Sequence, residues 1–233
     1  MKRLMVANVQ SKGRYSKENI ITNLKAQIDN MIELEWNKKD IILVSNFDFE
    51  FMGVSANNIE LNKHCLTGSK MFALLWIFEN LINDNIIWSQ DLDCWQNYKF
   101  DPPEIKDVGI ATYSNPKLNG GSVFWRYPAA KDIINIITTI ISKGENKEEP
   151  TLNKILKSST VRDRVTIINS TYNVGCSGYK ERGQRAEKPI LVSHMNPLSR
   201  IAWEIHRLNR KNTGIVSVSE RLDSLLRKYY ILA

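Results

Sequence analysis

Leu4-Met5-Val6-Ala7-Asn8-Val9 is a short apolar stretch that predicts a buried β-strand, and Asp40-Ile41-Ile42-Leu43-Val44-Ser45 predicts a second one. Between them, residues 17–36 repeat apolar side chains every three or four positions, which predicts an amphipathic helix. Both strands are continuously apolar rather than alternating, and this is typical of strands covered by helices on both faces of a sheet. The first part of the chain is therefore β-α-β and predicts an α/β fold.

The remainder of the chain continues this alternation of strands and helices. A strongly apolar helix is predicted from Ser69 to Leu81, followed by a strand at Ile86-Ile87-Trp88. The pattern also predicts strands at 108–112, 122–126, 165–168 and 189–192, and helices at 129–142, 150–156, 198–210 and 218–230. Pro150 is expected at the first position of its helix. Residues 172–188 are rich in Gly, Ser and charge, and they predict a loop that moves.

Length and composition describe an ordinary globular chain of 233 residues, 42% hydrophobic and 24% charged. The longest apolar run, Met71 to Phe78, is far shorter than the roughly 18 residues of a membrane span, and the first ten residues lack a signal-peptide core. Cys65, Cys94 and Cys176 are an odd number without a close pair, which indicates neither a disulfide framework nor a zinc clip. We expect a soluble, cytoplasmic protein.

The positive charge of the chain lies in its last third. Residues 1–150 hold 17 Lys and Arg against 19 Asp and Glu, a net charge of −2, whereas residues 151–233 hold 15 against 6, a net charge of +9. A basic sector of this size fits a phosphate-bearing partner, either nucleic acid or an anionic small molecule. A solvated basic surface without a partner is an equally good interpretation of the charge alone.

Two carboxylates follow the strand at Ile86 directly, in Ile86-Ile87-Trp88-Ser89-Gln90-Asp91-Leu92-Asp93. Ligands of open α/β sheets gather at the carboxyl ends of the strands. In an extended segment, a spacing of two turns Asp91 and Asp93 to one face, so that they can share a hard cation such as Mg²⁺ or Mn²⁺. An Asp-x-Asp pair alone is a weak signal, and its position at a strand end strengthens it.

Three further motifs carry possible chemistry, and each has a structural alternative. His194 ends the apolar stretch 189–193 and either completes a metal site or caps a strand end by hydrogen bonding. Asn119-Gly120-Gly121 either allows the backbone to approach a ligand closely or forms a hairpin turn. Glu148 and Glu149 open a helix, where acidic residues commonly serve only the helix dipole.

The order of these parts resembles the GT-A fold glycosyltransferases, the nucleotide-sugar transferase superfamily. The resemblance covers approximately residues 4–196 and implies a Rossmann-like mixed sheet flanked by helices as a catalytic domain at 1–196. The basic residues 197–233 would then form a helical extension packed on it. In that family the Asp-x-Asp pair and a late histidine hold Mn²⁺ or Mg²⁺ on the diphosphate of the donor, commonly a UDP-sugar. The resemblance therefore assigns the metal to Asp91, Asp93 and His194.

The resemblance also implies roles for residues around the donor. The first strand and its loop would clasp the nucleotide, Asp48 would meet the base or ribose, and Lys70 would lie near the phosphates. The strand with two glycines would lie by the transferred sugar, and a glutamate would stand close to the anomeric carbon as the catalytic carboxylate. The residues so implied are, for the nucleotide, Ala7, Asn8, Lys12 and Arg14; for the sugar, Asn119, Gly120 and Gly121; and for catalysis, Glu149 or Glu148.

The acceptor is predicted less directly than the donor. The chain resembles phage and viral members, including the group associated with DNA-base hydroxylases that glycosylates 5-hydroxymethylpyrimidines in DNA. The basic last third suits such an acceptor, because its cations could contact backbone phosphates. Candidate contacts are Lys180, Arg182, Arg185, Arg200, Arg207, Arg210 and Lys211, and candidate stacking surfaces for an unstacked base are Trp95, Trp125 and Tyr179. Packing in the core is an equally good interpretation of Trp95 and Trp125.

Other functions remain compatible with the sequence. A protein, glycan or lipid-linked acceptor would keep the same enzyme class. A nucleotidyltransferase also binds nucleotides on a related sheet with a metal, but Gln10-Ser11-Lys12-Gly13-Arg14 has a single Gly where that class shows a Gly-rich loop. A noncatalytic DNA-binding module could be built on the two C-terminal helices, whose short connection faintly resembles a helix-turn-helix. The sequence does not indicate an oligomeric state.

Overall fold

The computed structural model describes residues 1–10, 15–61, 68–80, 86–114, 117–144, 147–175, 179–195 and 218–230. Its strands are β1 (Lys2–Ala7), β2 (Ile41–Ser45), β3 (Glu50–Phe51), β4 (Val54–Asn58), β5 (Ile86–Gln90), β6 (Cys94–Gln96), β7 (Val108–Ser114), β8 (Lys117–Arg126), β9 (Val165–Ile167), β10 (Val174–Gly175) and β11 (Val192–His194). Its helices are α1 (Lys17–Glu33), α2 (Ser69–Asn80), α3 (Lys131–Ser142), α4 (Glu148–Leu156), α5 (Tyr179–Arg185) and α6 (Glu220–Tyr230).

The strands form one large mixed sheet and one small sheet. The large sheet has eight strands in the order β3-β4-β2-β1-β5-β8-β7-β9, and the small sheet has the order β10-β11-β6. Strand β1 is central and parallel to both β2 and β5, whereas β8 is antiparallel to β5 and β7. The α/β class with a mixed sheet, predicted from the sequence, is confirmed.

Helices cover both faces of the large sheet, as continuously apolar strands require. Met5 and Leu43 point to one face and pack there with Leu24 and Ile28 of α1. The alternate strand residues point to the other face, where α2, α3 and α4 form the larger apolar cluster around Trp125. The carboxyl ends of β1 and β5 therefore emerge between two helical layers.

A buried cation joins the first strand to the elements around β5. The guanidinium of Arg3 donates to the side-chain oxygens of Gln90, Gln96 and Gln27 at 3.0, 2.9 and 2.9 Å, and it lies 4.5 Å from the ring centroid of Trp88. Burial lowers the pKa of Arg3 to about 9, so the group stays charged at neutral pH. Three neutral amides thus solvate a charge that has no carboxylate among these partners.

Several predicted elements differ in the structure. The predicted strand at 189–192 is wrong: β11 begins at Val192, because Pro189 lacks an N–H and Leu191 bonds instead to Thr171. The segment 172–188 is not entirely loop, since it contains β10 and α5. Helix α4 begins at Glu148, so Pro150 is its third residue, a position where a missing N–H still costs no helical hydrogen bond. The hairpin β3–β4 and strand β6 are short elements that the sequence pattern did not predict.

The predicted helix at 198–210 lies outside the described residues, whereas α6 is described and packs on α1. Leu222, Leu225 and Leu226 are buried in one cluster with Trp95 of β6. Polar contacts border this cluster, because Asp29 of α1 accepts hydrogen bonds from Lys228 and Tyr229 at 2.9 Å each. In the described part of the chain, no helix has the length and apolar character needed to cross a membrane.

Replacing Leu222 by Ala tests whether α6 is part of the stable fold. Leu222 is fully buried, so we expect the free energy of unfolding to fall by about 3 kcal/mol, measured by denaturant titration. Arg227→Ala on the same helix is the control, because it removes only a partly exposed pair with Asp223 and should change stability by less than about 0.5 kcal/mol. Equal effects of the two substitutions would contradict the packing of α6 on α1.

Candidate functional site

Polar side chains from several elements gather where β1 and β5 end. A cleft of about 620 Å³ opens there between β8, the start of α2 and the start of α4. Its lining includes Asn8, Ser69, Lys70, Asp91, Asp93, Asn119, Gly120, Gly121, Glu148 and Glu149. Residues from five separate parts of the sequence, most of them singled out by motif, are thus brought together in one cleft.

The segment from Asp91 to Cys94 forms a turn, not the extended segment expected from the sequence. The N–H of Asp91 donates to the carbonyl of Gly121 at 2.8 Å, and the N–H of Cys94 donates to the carbonyl of Asp91 at 3.0 Å. Both carboxylates nevertheless reach one imidazole: His194 Nε2 lies 3.2 Å from Asp93 Oδ1 and 3.9 Å from Asp91 Oδ2. The three predicted metal ligands therefore converge.

The charges of Asp93 and His194 stabilise each other in this turn. Burial acts against ionisation of both groups, but the imidazole outweighs it for the carboxylate and lowers the pKa of Asp93. For the imidazole, burial is likewise outweighed, and the facing Asp93 carboxylate helps to raise the pKa of His194 well above its usual value. Without a bound cation, the imidazolium balances the charge of the Asp93 carboxylate.

Gly121 makes room for His194. A Cβ atom at Gly121 would stand 2.4 Å from His194 Cε1 and 2.5 Å from its Nδ1, which is closer than any real contact. At Gly120 a Cβ atom would meet Leu152 Cδ1 at 3.1 Å, a tight but movable neighbour. Gly121 therefore has to lack a side chain so that the imidazole can occupy its position. This requirement is separate from the close approach of a ligand that the motif predicts.

Lys70 lies at the centre of a buried charge cluster beside the turn. Its ammonium contacts Asp91 Oδ1 at 2.6 Å, Glu148 Oε1 at 3.0 Å and the carbonyl of Gly120 at 2.7 Å. Burial alone would lower the pKa of Lys70, but the two carboxylates outweigh it and raise the pKa above its usual value. The ammonium is thus charged and is held beside Asp91.

The two candidate catalytic glutamates occupy different environments. Glu148 is buried, and burial raises its pKa to about 7 even though Lys70 acts in the opposite direction. Glu149 is more exposed, and its Oε1 lies 3.6 Å from Lys117 Nζ. A carboxyl with a pKa near neutrality can hold or release a proton at physiological pH, so the geometry favours Glu148 for acid–base work.

Asn119 presents an unused donor to the cleft. Its Oδ1 accepts from the N–H of Gly121 at 2.9 Å, which fixes the orientation of the amide. Its Nδ2 is buried and has no hydrogen-bond partner among the described residues. A buried donor without a partner is costly, and a ligand oxygen would satisfy it.

The remaining nucleotide candidates lie in different places. Ala7 ends β1, and Asn8 directly after it donates to Ser69 Oγ. A neighbouring cleft of about 560 Å³ also contacts Asn8. Asp48 lines neither cleft but accepts from Asn58 at 2.8 Å, and Asn58 lines the second cleft. Lys12 and Arg14 lie outside the described residues.

Cys94 is a site residue that the sequence analysis missed. The possible ligand atoms of Asp93, Cys94 and His194 lie within 4.8 Å of one another, and the thiol also contacts the carbonyl of Gly121 at 2.9 Å. Burial raises the pKa of this thiol, so it is neutral in the absence of a metal. The signal in the sequence that indicates Cys94 is its position directly after Asp91-Leu92-Asp93.

Several residues proposed to contact DNA do not fit that role. Trp95 and Trp125 are fully buried, with their indole N–H groups bonded to the carbonyl of Met195 and to Ser89 Oγ, so neither can stack on a flipped base. Arg182 is also buried rather than exposed to a phosphate backbone. Arg185 is exposed. The other candidates, Tyr179, Lys180, Arg200, Arg207, Arg210 and Lys211, have side chains outside the described set.

Comparison with known proteins identifies the fold. No protein-family model matches the chain, and no curated protein matches it either. Among solved structures, galactosyltransferase LgtC with donor and acceptor sugar analogues is 13% identical, with a TM-score of 0.60 over 97% of this chain and 100% of that one. A glycosyltransferase involved in glycosylation of the PBCV-1 major capsid is 15% identical, with a TM-score of 0.56 over 89% of this chain and 100% of that one. GlyE from Streptococcus pneumoniae TIGR4 is 14% identical, with a TM-score of 0.55 over 97% of this chain and 63% of that one.

These three likenesses span most of the chain, and they confirm the predicted GT-A architecture. At this level of identity they establish the fold, whereas the activity has to be argued from the site.

The substitution Gly121→Ala tests the contact between the glycine and the imidazole. The added methyl group should push the ring away from Asp93, and the pKa of His194 in the metal-free protein should fall toward 6.5. The pKa is measured by NMR titration of the imidazole signals, which come from 3 histidines. Gly120→Ala is the matched control and should leave that pKa unchanged; an unchanged pKa in Gly121→Ala would refute the geometry.

Proposed function

We propose that the chain is a metal-dependent glycosyltransferase that moves a sugar from a nucleotide-sugar donor, by default a UDP-sugar, to an acceptor hydroxyl. The observation that carries the proposal is the convergence of Asp91, Asp93 and His194 beside the Lys70 ammonium, at the carboxyl end of β5 in a GT-A fold. Carboxylate oxygens and an imidazole nitrogen are suitable ligands for Mn²⁺ or Mg²⁺. The catalytic domain would comprise residues 1–196, with 197–233 as its extension.

The donor set fits a divalent ion in this cleft. Asp91, Asp93 and His194 would hold it; in the metal-free protein the protonated His194 balances only one of the two carboxylates, and a divalent ion would take the place of its proton. When bound, such an ion neutralises the diphosphate and makes it a better leaving group. Cys94 adds a sulfur atom at the same place, but the hard carboxylate oxygens suit Mn²⁺ or Mg²⁺ better than this soft ligand.

Lys70 would supply a second positive charge to the leaving diphosphate. All three of its hydrogen-bonding directions are occupied by Asp91, Glu148 and the Gly120 carbonyl, so its position is fixed before the substrate binds. A preorganised cation stabilises developing negative charge without the cost of reorganisation. Asn8 and the second cleft are the proposed contacts of the nucleotide.

The reacting sugar would lie between Asn119 and Glu148. The buried Nδ2 of Asn119 is available to a sugar oxygen, and Gly120 next to it keeps the strand surface open. Glu148 would either stabilise positive character at the anomeric carbon or take the proton of the acceptor hydroxyl. Glu149, which is nearer the edge of the cleft, is the alternative carboxylate.

The acceptor is proposed only by class, as a compound with a free hydroxyl group. DNA containing 5-hydroxymethylpyrimidine is the specific hypothesis from the sequence, and the net charge of +9 over residues 151–233 supports it. The burial of Trp95, Trp125 and Arg182 weighs against it. Glycan, protein and lipid-linked hydroxyls are therefore tested beside it.

The proposal predicts release of nucleoside diphosphate from a sugar nucleotide in the presence of Mn²⁺. A panel of sugar nucleotides is assayed with and without 5-hydroxymethylcytosine DNA, a glycan, a peptide and a lipid-linked acceptor. Asp93→Asn should lower the rate about 100-fold or more, because it removes a charged ligand facing His194. Release that needs no metal, or no release from any donor, would contradict the proposal.

Two adjacent isosteric variants locate the catalytic carboxylate in the same assay. Glu148→Gln should lower kcat roughly 100-fold, within the range for loss of an acid–base group, whereas Glu149→Gln should change it less than about tenfold. The two substitutions make the same isosteric change at adjacent positions of one helical turn, so their difference reports the surroundings of each carboxyl group. The reverse order would transfer the role to Glu149.

A further inference from the structure

The turn that carries Asp91 and Asp93 is held from behind by one side chain. Gln27 of α1 is fully buried, and its Nε2 donates to the carbonyl of Leu92 at 2.9 Å and to the carbonyl of Cys94 at 2.8 Å. These two carbonyls lie on either side of Asp93 in the chain. The position of the Asp93 backbone, and hence of its carboxylate, therefore depends on an amide 65 residues away from the turn.

The orientation of that amide is fixed by a charge. Arg3 Nη2 donates to Gln27 Oε1 at 2.9 Å, and Gln90 Nε2 donates to the same oxygen at 3.2 Å. A guanidinium offers only donors, so it selects the oxygen end of the glutamine and turns both N–H groups toward the turn. If the amide were reversed, its N–H groups would face the N–H groups of Arg3, and its oxygen would face the carbonyl oxygens of Leu92 and Cys94. Both arrangements are repulsive.

We propose that Gln27 is a positioning residue of the metal site, which sets the turn so that Asp91 and Asp93 present their carboxylates to one ion. The inference rests on the proposed function in one respect, that Asp91 and Asp93 hold a divalent ion. It adds that affinity for this ion is controlled from the interior of the protein, by a residue that does not touch the ion. Gln27 then has a reason to be neutral, because a carboxylate at this position could not donate to the turn.

The isosteric change Gln27→Glu separates positioning from stability. The new carboxylate would gain an ion pair with Arg3 but lose both donors to the turn, and an anionic oxygen would face two carbonyls. A purely structural role predicts a change in stability alone. A positioning role predicts weaker metal binding by a protein that still folds.

Gln96→Glu is the matched control. Gln96 Oε1 also accepts from Arg3, at 2.9 Å, but its Nε2 donates to the carbonyl of Tyr98, beyond the turn. This variant therefore introduces the same charge beside the same guanidinium and leaves the bonds to Leu92 and Cys94 in place. Gln27→Met is a second test variant, because it removes the amide without adding a charge.

The experiment is a calorimetric titration of the purified full chain with Mn²⁺, with far-UV circular dichroism and thermal unfolding recorded for each variant. We expect Gln27→Glu and Gln27→Met to weaken Mn²⁺ binding about tenfold or more, the usual effect of losing an outer-shell hydrogen bond. Gln96→Glu should stay within about twofold of the wild type. If Gln27→Glu fails to fold, the comparison of Gln27→Met with Gln96→Glu carries the test.

Two results would overturn the inference and leave the proposed function intact. One is Mn²⁺ binding that Asp93→Asn abolishes but the Gln27 variants leave within twofold. The other is equal weakening by the Gln27 variants and Gln96→Glu, which would assign the effect to general destabilisation. If the wild type itself binds no Mn²⁺, both the metal site of the proposed function and the role of Gln27 are overturned.

Discussion

The arrangement of the site depends on the turn from Asp91 to Cys94, which is hydrogen-bonded to several parts of the fold. Gly121 of β8 accepts from the Asp91 N–H, Asp93 accepts from the N–H of Met195 after β11, and Gln27 of α1 donates to the two carbonyls that flank Asp93. The large sheet, the small sheet and the first helix thus meet at four residues. A carboxylate pair held in this way has little freedom to relax, so charge repulsion between its members must be met by cations rather than by movement.

Those cations come from two separate elements of the fold. His194 faces Asp93 and Asp91 from the small sheet, and Lys70 faces Asp91 and Glu148 from the start of α2. Burial raises the pKa of Glu148 to about 7, whereas the imidazole lowers the pKa of Asp93. Two acidic groups in one cleft with different protonation behaviour are typical of sites where one carboxylate binds charge and another moves a proton.

Local sequence patterns predicted the elements that bury one continuous face. Burial leaves a periodic signal in the sequence, which predicted the strands β1, β2 and β5 and the helix α2. Turn and polar residues mark element ends, which located the motif after β5 and the motif near the start of β8. The strand predicted at 189–192 was wrong because burial of these residues does not come from strand pairing. Ile190 packs with Val174 and Ala186, and Leu191 packs against the cluster that also contacts Tyr172. The sequence left Trp95 and Trp125 undecided between core and base stacking, and it misplaced Arg182, because composition does not tell a core aromatic or a buried cation from an exposed one.

The contacts that organise the site were the least accessible to sequence reasoning. Gln27, Arg3 and Gln90 belong to separate elements, and their partners are set by the order of strands in the sheet, which no local pattern contains. The motif predicted that another group approaches the backbone at Gly121 closely. In the structure that group is the ring of His194, which is distant in the sequence.

The central claim is that one divalent ion joins the turn and His194 to a nucleoside diphosphate. A crystal of the protein grown with Mn²⁺ and UDP, measured for anomalous scattering, tests it directly. We expect one anomalous peak from Mn²⁺ in the cleft, roughly 2.0–2.3 Å from ligand atoms of Asp91, Asp93 and His194 and from diphosphate oxygens. A nucleotide bound elsewhere, or a peak that contacts neither aspartate, would contradict it.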